Sequence, residues 1–389
     1  MSAVSAGGWR YHNPVDVRFG HGVLDSLGRV VGGRAYALVT YGDAPFAPMA
    51  ARIAERAGAA AAVIDDVRPN PDFTYLAGAC ARFAAAATPP QVIVALGGGS
   101  AMDTAKVLAA ADGDFARVRR YLETGAGESA LAAIPVVAVP TTAGTGSEVT
   151  SWATLWDRDN GRKHSLARDS LYPSHALVDP DLTLGLPRGL TVQTGLDALS
   201  HALESLWNHN ANPVSTRFAV AAARDILATL PRLAADLDNR DLRRAMAWAA
   251  LQAGLAFSNT RTALAHNISY PVTLGHGVAH GLAASFTLPR ILRAVAGADA
   301  DCDAALREIF GRDLAAGADR LSALLAGLGV SEDPAAYGVG PEVFEAMVDA
   351  AFAGARGRNF IGTPDRFAAA GRRDPDAGDP GPEDADAFA

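Results

Sequence analysis

Cysteine is almost missing from this chain. Its 389 residues include two, Cys80 and Cys302, far apart and in no metal-type spacing. That excludes a disulfide framework and a thiolate zinc site, and it fits a reducing compartment. Long apolar runs are missing too. The longest, such as residues 57–64, fall far short of the ~20 residues a membrane-spanning helix needs. Met1–Arg10 lacks the charged start and apolar core of a secretory leader, so a cytoplasmic location is expected. A basic excess is also absent. Lys and Arg number 34 against 42 Asp and Glu, a net charge of −8 without a basic stripe. This argues against nucleic acid or an anionic membrane as partner and leaves a small molecule.

What is present is the composition of a soluble globular protein, 49% hydrophobic and 20% charged, at a length for which two domains are the default. Strand and helix patterns alternate through the first half. Val15 and Val17 alternate as in a short strand, and residues 35–40, 59–64, 91–96 and 134–139 read as further strands. Helical spacing lies between them at 45–58, 72–87 and 101–111. Residues 91–96 (QVIVAL) form a near-continuous apolar run, the pattern of a strand buried on both faces. This predicts an α/β domain with a parallel sheet over residues 1–187. From Pro187 the strand signals stop. Helical segments at 189–207, 213–227, 241–257, 282–295 and 314–328 predict an all-α domain over 188–370. The Asp-, Pro- and Gly-rich tail 371–389 reads as disordered.

Three stretches carry chemistry. Gly97-Gly98-Gly99-Ser100 lies between a buried strand and a helix. There backbone can approach a ligand closely, and unpaired N–H groups of the helix start can meet an anion. A tight strand-to-helix turn, with Ser100 and Asp103 as a capping box, is the bland alternative. Pro140 through Glu148 (PTTAGTGSE) follows the next buried strand, so it emerges at the same sheet edge, and its hydroxyls and glycines suit a nucleotide. The third stretch centres on Asp197 and His201. Four residues apart in a helical run, their side chains share one face. His266 and His280 can close a cage around a divalent ion. Three neutral imidazoles and one carboxylate suit Fe(II), Zn(II), Co(II) or Ni(II) better than Mg(II) or Ca(II). His12, His21, His164, His175 and His209 read as surface or loop residues. His276, four before His280, and Tyr270, four after His266, are candidates for a proton relay.

Together these residues resemble the iron-dependent (group III) alcohol dehydrogenase family. The resemblance rests on Gly97–Ser100 with Asp103, Ala105 and Lys106, on PTTAGTGSEVT at 140–150, on Leu177-Val178-Asp179-Pro180, on GLDALSH at 195–201, and on two later histidines fourteen apart, 280 − 266 = 14. It runs from about Tyr11 to about Pro289. It implies a dinucleotide-binding domain, a helical metal domain and a cleft between them. The implied metal ligands are Asp197, His201, His266 and His280, holding Fe(II) or Zn(II). The implied NAD(P) contacts are Gly97, Gly98, Gly99, Ser100 and Asp103, then Thr141, Thr142, Thr145 and Ser147 on the nicotinamide ribose side, with Lys163 and Leu182. Tyr41 stands where some members carry an NAD-favouring acid, with Asp43 two later, and Tyr270 where many carry a second histidine. Beyond Gly362 the chain departs from the family's helical pattern. A homodimer is the common assembly.

The resemblance implies hydride transfer between NAD(P) and a small aldehyde polarised by the metal. Tyr270-Pro271 and the opening Tyr11-His12-Asn13-Pro14-Val15 look like the branch that reduces phosphonoacetaldehyde to 2-hydroxyethylphosphonate. Its anionic substrate calls for a cation, which Arg261 or Lys163 can supply. The alternatives are another short-chain aldehyde, maleylacetate, or the chemistry of the dehydroquinate synthase-like lyases that share the fold.

Overall fold

The computed structural model describes residues 8–371, so the tail expected to be disordered lies outside the described residues beyond Gly371. The described chain divides into two compact units. One is residues 13–184, and the other joins residues 8–12 to 185–371.

The first unit runs β1 (Asp16–Phe19), α1 (Leu27–Val31), β2 (Tyr36–Val39), α2 (Ala47–Ala57), β3 (Ala62–Ile64), α3 (Phe73–Ala84), β4 (Val92–Gly97), α4 (Gly99–Ala111), α5 (Phe115–Thr124), β5 (Val136–Pro140), β6 (Trp152–Asp157), β7 (Arg162–Ala167) and β8 (His175–Val178). Six strands form one sheet in the order β1-β8-β5-β4-β2-β3, and every neighbouring pair is parallel. Period-two alternation sends successive side chains to opposite faces. Ala37, Val39, Ile93, Ala95, Val136 and Ala138 join the core under α3, α4 and α5. Tyr36, Leu38, Val92, Val94, Leu96, Val137 and Val139 join the core under α1 and α2. Burial on both faces is why these strands read as continuous apolar runs.

The antiparallel hairpin β6–β7 departs from the strand-and-helix alternation expected. Its outer residues are polar (Arg162, Lys163, His164, Ser165), which hides the apolar period, and the turn closes on Gly161 at φ 60°.

The second unit contains α6 (Arg188–Leu206), α7 (Pro213–Ala235), α8 (Arg240–Thr260), α9 (Leu264–His276), α10 (His280–Ala283), α11 (Leu288–Val295), α12 (Ala300–Phe310), α13 (Leu314–Gly327), α14 (Pro341–Ala353) and α15 (Pro364–Ala370). Asn212 starts α7 with a capping box, its side chain accepting from Val214 and Ser215 N–H while Ser215 Oγ accepts from Asn212 N–H. Two expectations change here. α7 continues past Leu227 through Pro231 to Ala235. The helix expected over 282–295 is two helices, α10 and α11, the second opening with Pro289 in its first turn, where a missing N–H costs nothing.

Residues 8–12 belong with the helices rather than with the sheet domain assigned to 1–187. The reason is local. The Tyr11 hydroxyl donates to Leu255 O at 3.2 Å, His12 N–H donates to Asn259 Oδ1 at 2.8 Å, and Asn259 Nδ2 returns a bond to His12 O at 3.1 Å. Beyond Gly362 the chain is helical after all: Thr363 caps α15, Phe367 is buried, and Arg366 Nε donates to Ala294 O at 2.7 Å. No described helix is long and apolar enough to cross a membrane.

Candidate metal centre and nucleotide loops

α6 supplies the centre's first half. Asp197 and His201 project one turn apart from a stretch, 195–206, in which every residue is buried. A buried carboxylate is costly unless cationic or hydrogen-bonding partners face it. Here the partners are imidazoles: Asp197 Oδ1 lies 3.4 Å from His266 Nε2 and 3.8 Å from both His201 Nε2 and His280 Nε2. Asp197, His201 and His266 each offer a ligand atom, all within 4.8 Å of one another. His280 is the more open member, its side chain 37% exposed.

α10 brings His280 in because the next residue is glycine. A methyl group at Gly281 would overlap the carbonyl of Gln193 and sit 3.3 Å from Asp197 Cβ, so only a bare Cα lets α10 lie this close to α6. The His201 ring stacks on Phe257 with centroids 3.9 Å apart and lies 4.7 Å from the His266 ring.

The arrangement demands positive charge. Burial pushes the Asp197 carboxyl up, but His201, then His266 and His280, outweigh it and hold the pKa well below the ordinary range. Burial pushes His266 down, yet the charges of Glu204 and Asp197 carry it to about 10. Protons meet that demand in the metal-free protein, and a divalent ion can replace them. The fit is visible in two atoms. Asp197 Oδ1 and His266 Nε2 are both buried, both suited to ligation, and neither makes a hydrogen bond among the described residues.

Sequence reasoning missed Glu204. Fully buried and seven residues after Asp197, it faces His266 Nδ1 at 2.6 Å. The spacing Asp197, His201, Glu204 on one helical face was the available signal.

The proton-relay candidates separate. The Tyr270 ring lies nearly parallel to that of His280, centroids 6.2 Å apart. His276 is the exposed last residue of α9, ten residues and roughly 15 Å along the helix from His266. The structure does not bring it to the cluster.

Arg261 caps α8 at φ 63° and ψ 177°, a region almost reserved for glycine. Three asparagine amides hold it there through three consecutive carbonyls. Asn210 donates to Thr260 O at 3.2 Å, Asn208 to Arg261 O at 3.1 Å, and Asn359 to Thr262 O at 2.8 Å.

In the first unit, the loops after the parallel strands gather at one sheet edge. β2 pairs with β3 on one side and β4 on the other, so strand order reverses there, where open α/β sheets bind ligands. The residues at that point are Tyr41 and Gly97. Gly97 has φ 153°, and a Cβ on it would meet the Tyr41 ring and Ala101 Cβ at 2.7 Å each. The Tyr41 hydroxyl reaches Ser100 and the Ala101 backbone; burial is the main reason its pKa rises to about 12. Gly98 and Gly99 admit Thr142 and Thr145, so the two loops interlock. Gly98, Gly99, Ser100, Thr142 and Thr145 stay partly exposed.

Of the other expected cofactor residues, Thr141, Ser147 and Leu182 are buried, while Asp103 and Lys163 are partly exposed. Asp103 Oδ1 accepts from Ser147 Oγ at 3.0 Å, and its Oδ2 accepts from Thr154 N–H at 3.0 Å. Lys106 Nζ, fully buried, donates to Ser147 O, Ser147 Oγ and Trp152 O at 2.7–2.9 Å. Thr141 is 2% exposed, its N–H on Gly97 O. Leu182 packs into the core with Leu24 and Leu177. These residues shape the loops from behind. Lys163 lies on β7 with its ammonium 5.8 Å from the Trp156 ring, and Asp43 is exposed at the start of a short turn.

Comparison with known proteins places this geometry. The model of the iron-containing alcohol dehydrogenases matches residues 14–180, and that of the C-terminal part of the Fe-containing family matches 191–367. The likeness thus extends well beyond Pro289, where the resemblance in sequence was expected to end. Phosphonoacetaldehyde reductase of Streptomyces viridochromogenes is 43% identical over 209 residues, 52% of this chain and 53% of that protein. NAD-dependent methanol dehydrogenase of Bacillus methanolicus is 38% identical over 201 residues, 52% of each. The matched segment therefore spans about half the length of these curated relatives. Sulfoacetaldehyde reductase from Bifidobacterium kashiwanohense, solved in complex with NAD+, superposes with a TM-score of 0.85 at 31% identity, covering 94% of this chain and 98% of that one. The chain belongs to the iron-containing alcohol dehydrogenase family.

Proposed function

We propose that this protein is a metal-dependent, NAD(P)-linked reductase of small aldehydes, with a preference for aldehydes that carry an anionic group. The observation that carries the reading is the buried group of Asp197, His201 and His266, three ligand atoms within 4.8 Å, with His280 on its open side. These four residues would hold Fe(II), or Zn(II) in its place. When bound, the metal supplies Lewis acidity toward a carbonyl oxygen and the nicotinamide cofactor supplies the hydride.

This chain's own residues do the rest. Asp197 supplies negative charge against the cation, and Phe257 holds the His201 ring flat. Tyr270 would pass a proton to the nascent alcohol, a reading supported by its ring lying parallel to that of His280. In the first unit, the partly exposed Gly98, Gly99 and Ser100 at the start of α4, with Thr142 and Thr145, would bind a pyrophosphate. Residues 13–184 thus serve the dinucleotide, and those from 185 onward serve the metal. Tyr41 is uncharged where an acid would repel a 2′-phosphate, so both NADH and NADPH are candidates.

Arg261 supports the anionic substrate. A protein keeps a charged side chain in a glycine-type conformation only at a cost, and two relatives are named for aldehydes bearing phosphonate or sulfonate. The test is anaerobic loading with Fe(II), then NADH and NADPH absorbance against phosphonoacetaldehyde, sulfoacetaldehyde and uncharged aldehydes of similar size. Turnover of the anionic aldehydes, abolished by chelator and by His266→Ala, is the expected result. Turnover of uncharged aldehydes alone sinks the substrate class, and oxidation of neither cofactor sinks the reductase.

A further inference from the structure

His266 is held twice by one carboxylate. Glu204 Oε2 lies 2.6 Å from the ring Nδ1, and Glu204 Oε1 accepts the backbone N–H of the same residue at 3.2 Å. That backbone group needs a partner. His266 is the third residue of α9, its N–H is one of the four a helix start leaves unpaired, and Ala263 at the cap has no side chain to offer. Glu204, wholly buried on α6, therefore caps α9 from a neighbouring helix and grips the imidazole at the same time.

The ring's proton placement follows. A carboxylate oxygen at 2.6 Å from Nδ1 requires a proton there. Ser200 Oγ, the other neighbour of Nδ1 at 3.4 Å, spends its own proton on Ala284 O at 2.9 Å and so can only accept from the ring. With Nδ1 committed, the neutral imidazole carries its lone pair on Nε2, the atom that faces Asp197 Oδ1 at 3.4 Å without a hydrogen bond.

We propose that Glu204 is the positioning residue of the metal centre: it fixes the backbone, ring orientation and tautomer of His266, so that Nε2 is presented as a ligand. The inference rests on the metal reading above and deepens it. Glu204 touches neither metal nor substrate and acts through His266 alone. Carboxylates behind ligating histidines typically govern metal affinity by 10–100-fold.

Glu204→Gln keeps the shape and loses the assignment. Its amide can accept one of the two N–H groups, and an NH2 turned toward the ring drives the imidazole proton to Nε2, where it blocks ligation. The experiment is titration of metal-free protein with Co(II), followed by the visible ligand-field absorption of the bound ion, for wild type and Glu204→Gln. The expected result is a 10–100-fold weaker Co(II) affinity in a variant whose circular dichroism matches wild type. Equal affinity overturns the proposal while leaving the metal site standing. Failure of the wild type to bind Co(II) overturns both.

A second measurement does not depend on the variant folding. Zn(II)-loaded wild type labelled with 15N-histidine should show an exchange-protected, hydrogen-bonded Nδ1–H signal that His266→Ala removes. A His266 ring whose protonated nitrogen is Nε2 overturns the proposal whatever the Gln variant does.

Discussion

Gly281 and Gln193 stand in contact with no space between them: a methyl group on the glycine would overlap the glutamine's carbonyl oxygen. The carbonyl is fixed backbone in α6 and cannot yield as a flexible side chain would. Gly281→Ala must therefore push α10 away from α6 and carry His280 with it. Overpacking of this kind costs about 1–3 kcal/mol. Metal affinity should fall more than tenfold while the sheet unit is unaffected, as read by Co(II) titration beside thermal melting. A variant that binds Co(II) like wild type would show that His280 does not depend on this contact.

Arg261 makes a prediction in which stability and activity move apart. Its backbone at φ 63° and ψ 177° costs ~1–3 kcal/mol in any residue but glycine. Arg261→Gly removes that strain and adds about 0.5–1 kcal/mol of unfolded-state entropy, so a net gain of about 1 kcal/mol and a rise of a few degrees in Tm are expected. The same change should raise KM for an anionic aldehyde at least tenfold and leave an uncharged one within twofold. Equal losses on both substrates would remove Arg261 from anion recognition.

The parallel sheet and the helical second unit were legible because their signals are periodic and local. Strands buried on both faces write continuous apolar runs such as 92–97, and Asp197 and His201 declare themselves by spacing alone. What was illegible depends on tertiary contacts. Asp103 and Ser147 stand out as motif residues, but the sequence does not show that they bond to each other, with Lys106 beside them. The packing of Leu182 with Leu24 and Leu177 is tertiary in the same way. Glu204 resembles any helical glutamate until α9 is seen to lack a cap of its own. His276 and Tyr270 lie equally close to ligands in sequence, and only the direction of α9 tells them apart.

Glu148, in the sheet unit, gives a pH signature of its own. Burial, the dominant influence, raises its carboxyl from 4.5 to about 7, with its own backbone N–H and Lys106 only partly opposing. Between those values the unfolded chain ionises and the folded one does not. The folded state then binds more protons, and stability falls as pH rises through the window. The cost reaches up to about 3 kcal/mol once both states are ionised. Glu148→Gln cannot titrate. Relative to wild type, its stability should therefore increase from pH 4.5 to pH 8, measured by denaturant midpoints on metal-free protein. A difference that stays constant across that range would mean that Glu148 ionises in the fold as easily as in the unfolded chain.

Tyr270 and His276 offer a choice that kinetics can make. Tyr270 lies parallel to His280 at 6.2 Å between ring centroids, whereas His276 is exposed at the far end of α9. A proton delivered to the product alkoxide has to come from beside the reacting carbon, within one hydrogen bond or one water. Tyr270→Phe keeps the ring and its packing and removes only the hydroxyl. It should lower kcat by 10–100-fold, change the alkaline limb of the pH profile, and leave Co(II) affinity unchanged. His276→Ala should alter kcat by less than twofold at any pH. If the two variants exchange these behaviours, the relay runs along the exposed end of the helix and α9 must move during turnover to bring His276 in. If both match wild type, the proton comes from solvent or the cofactor, and Tyr270 serves only to pack against His280.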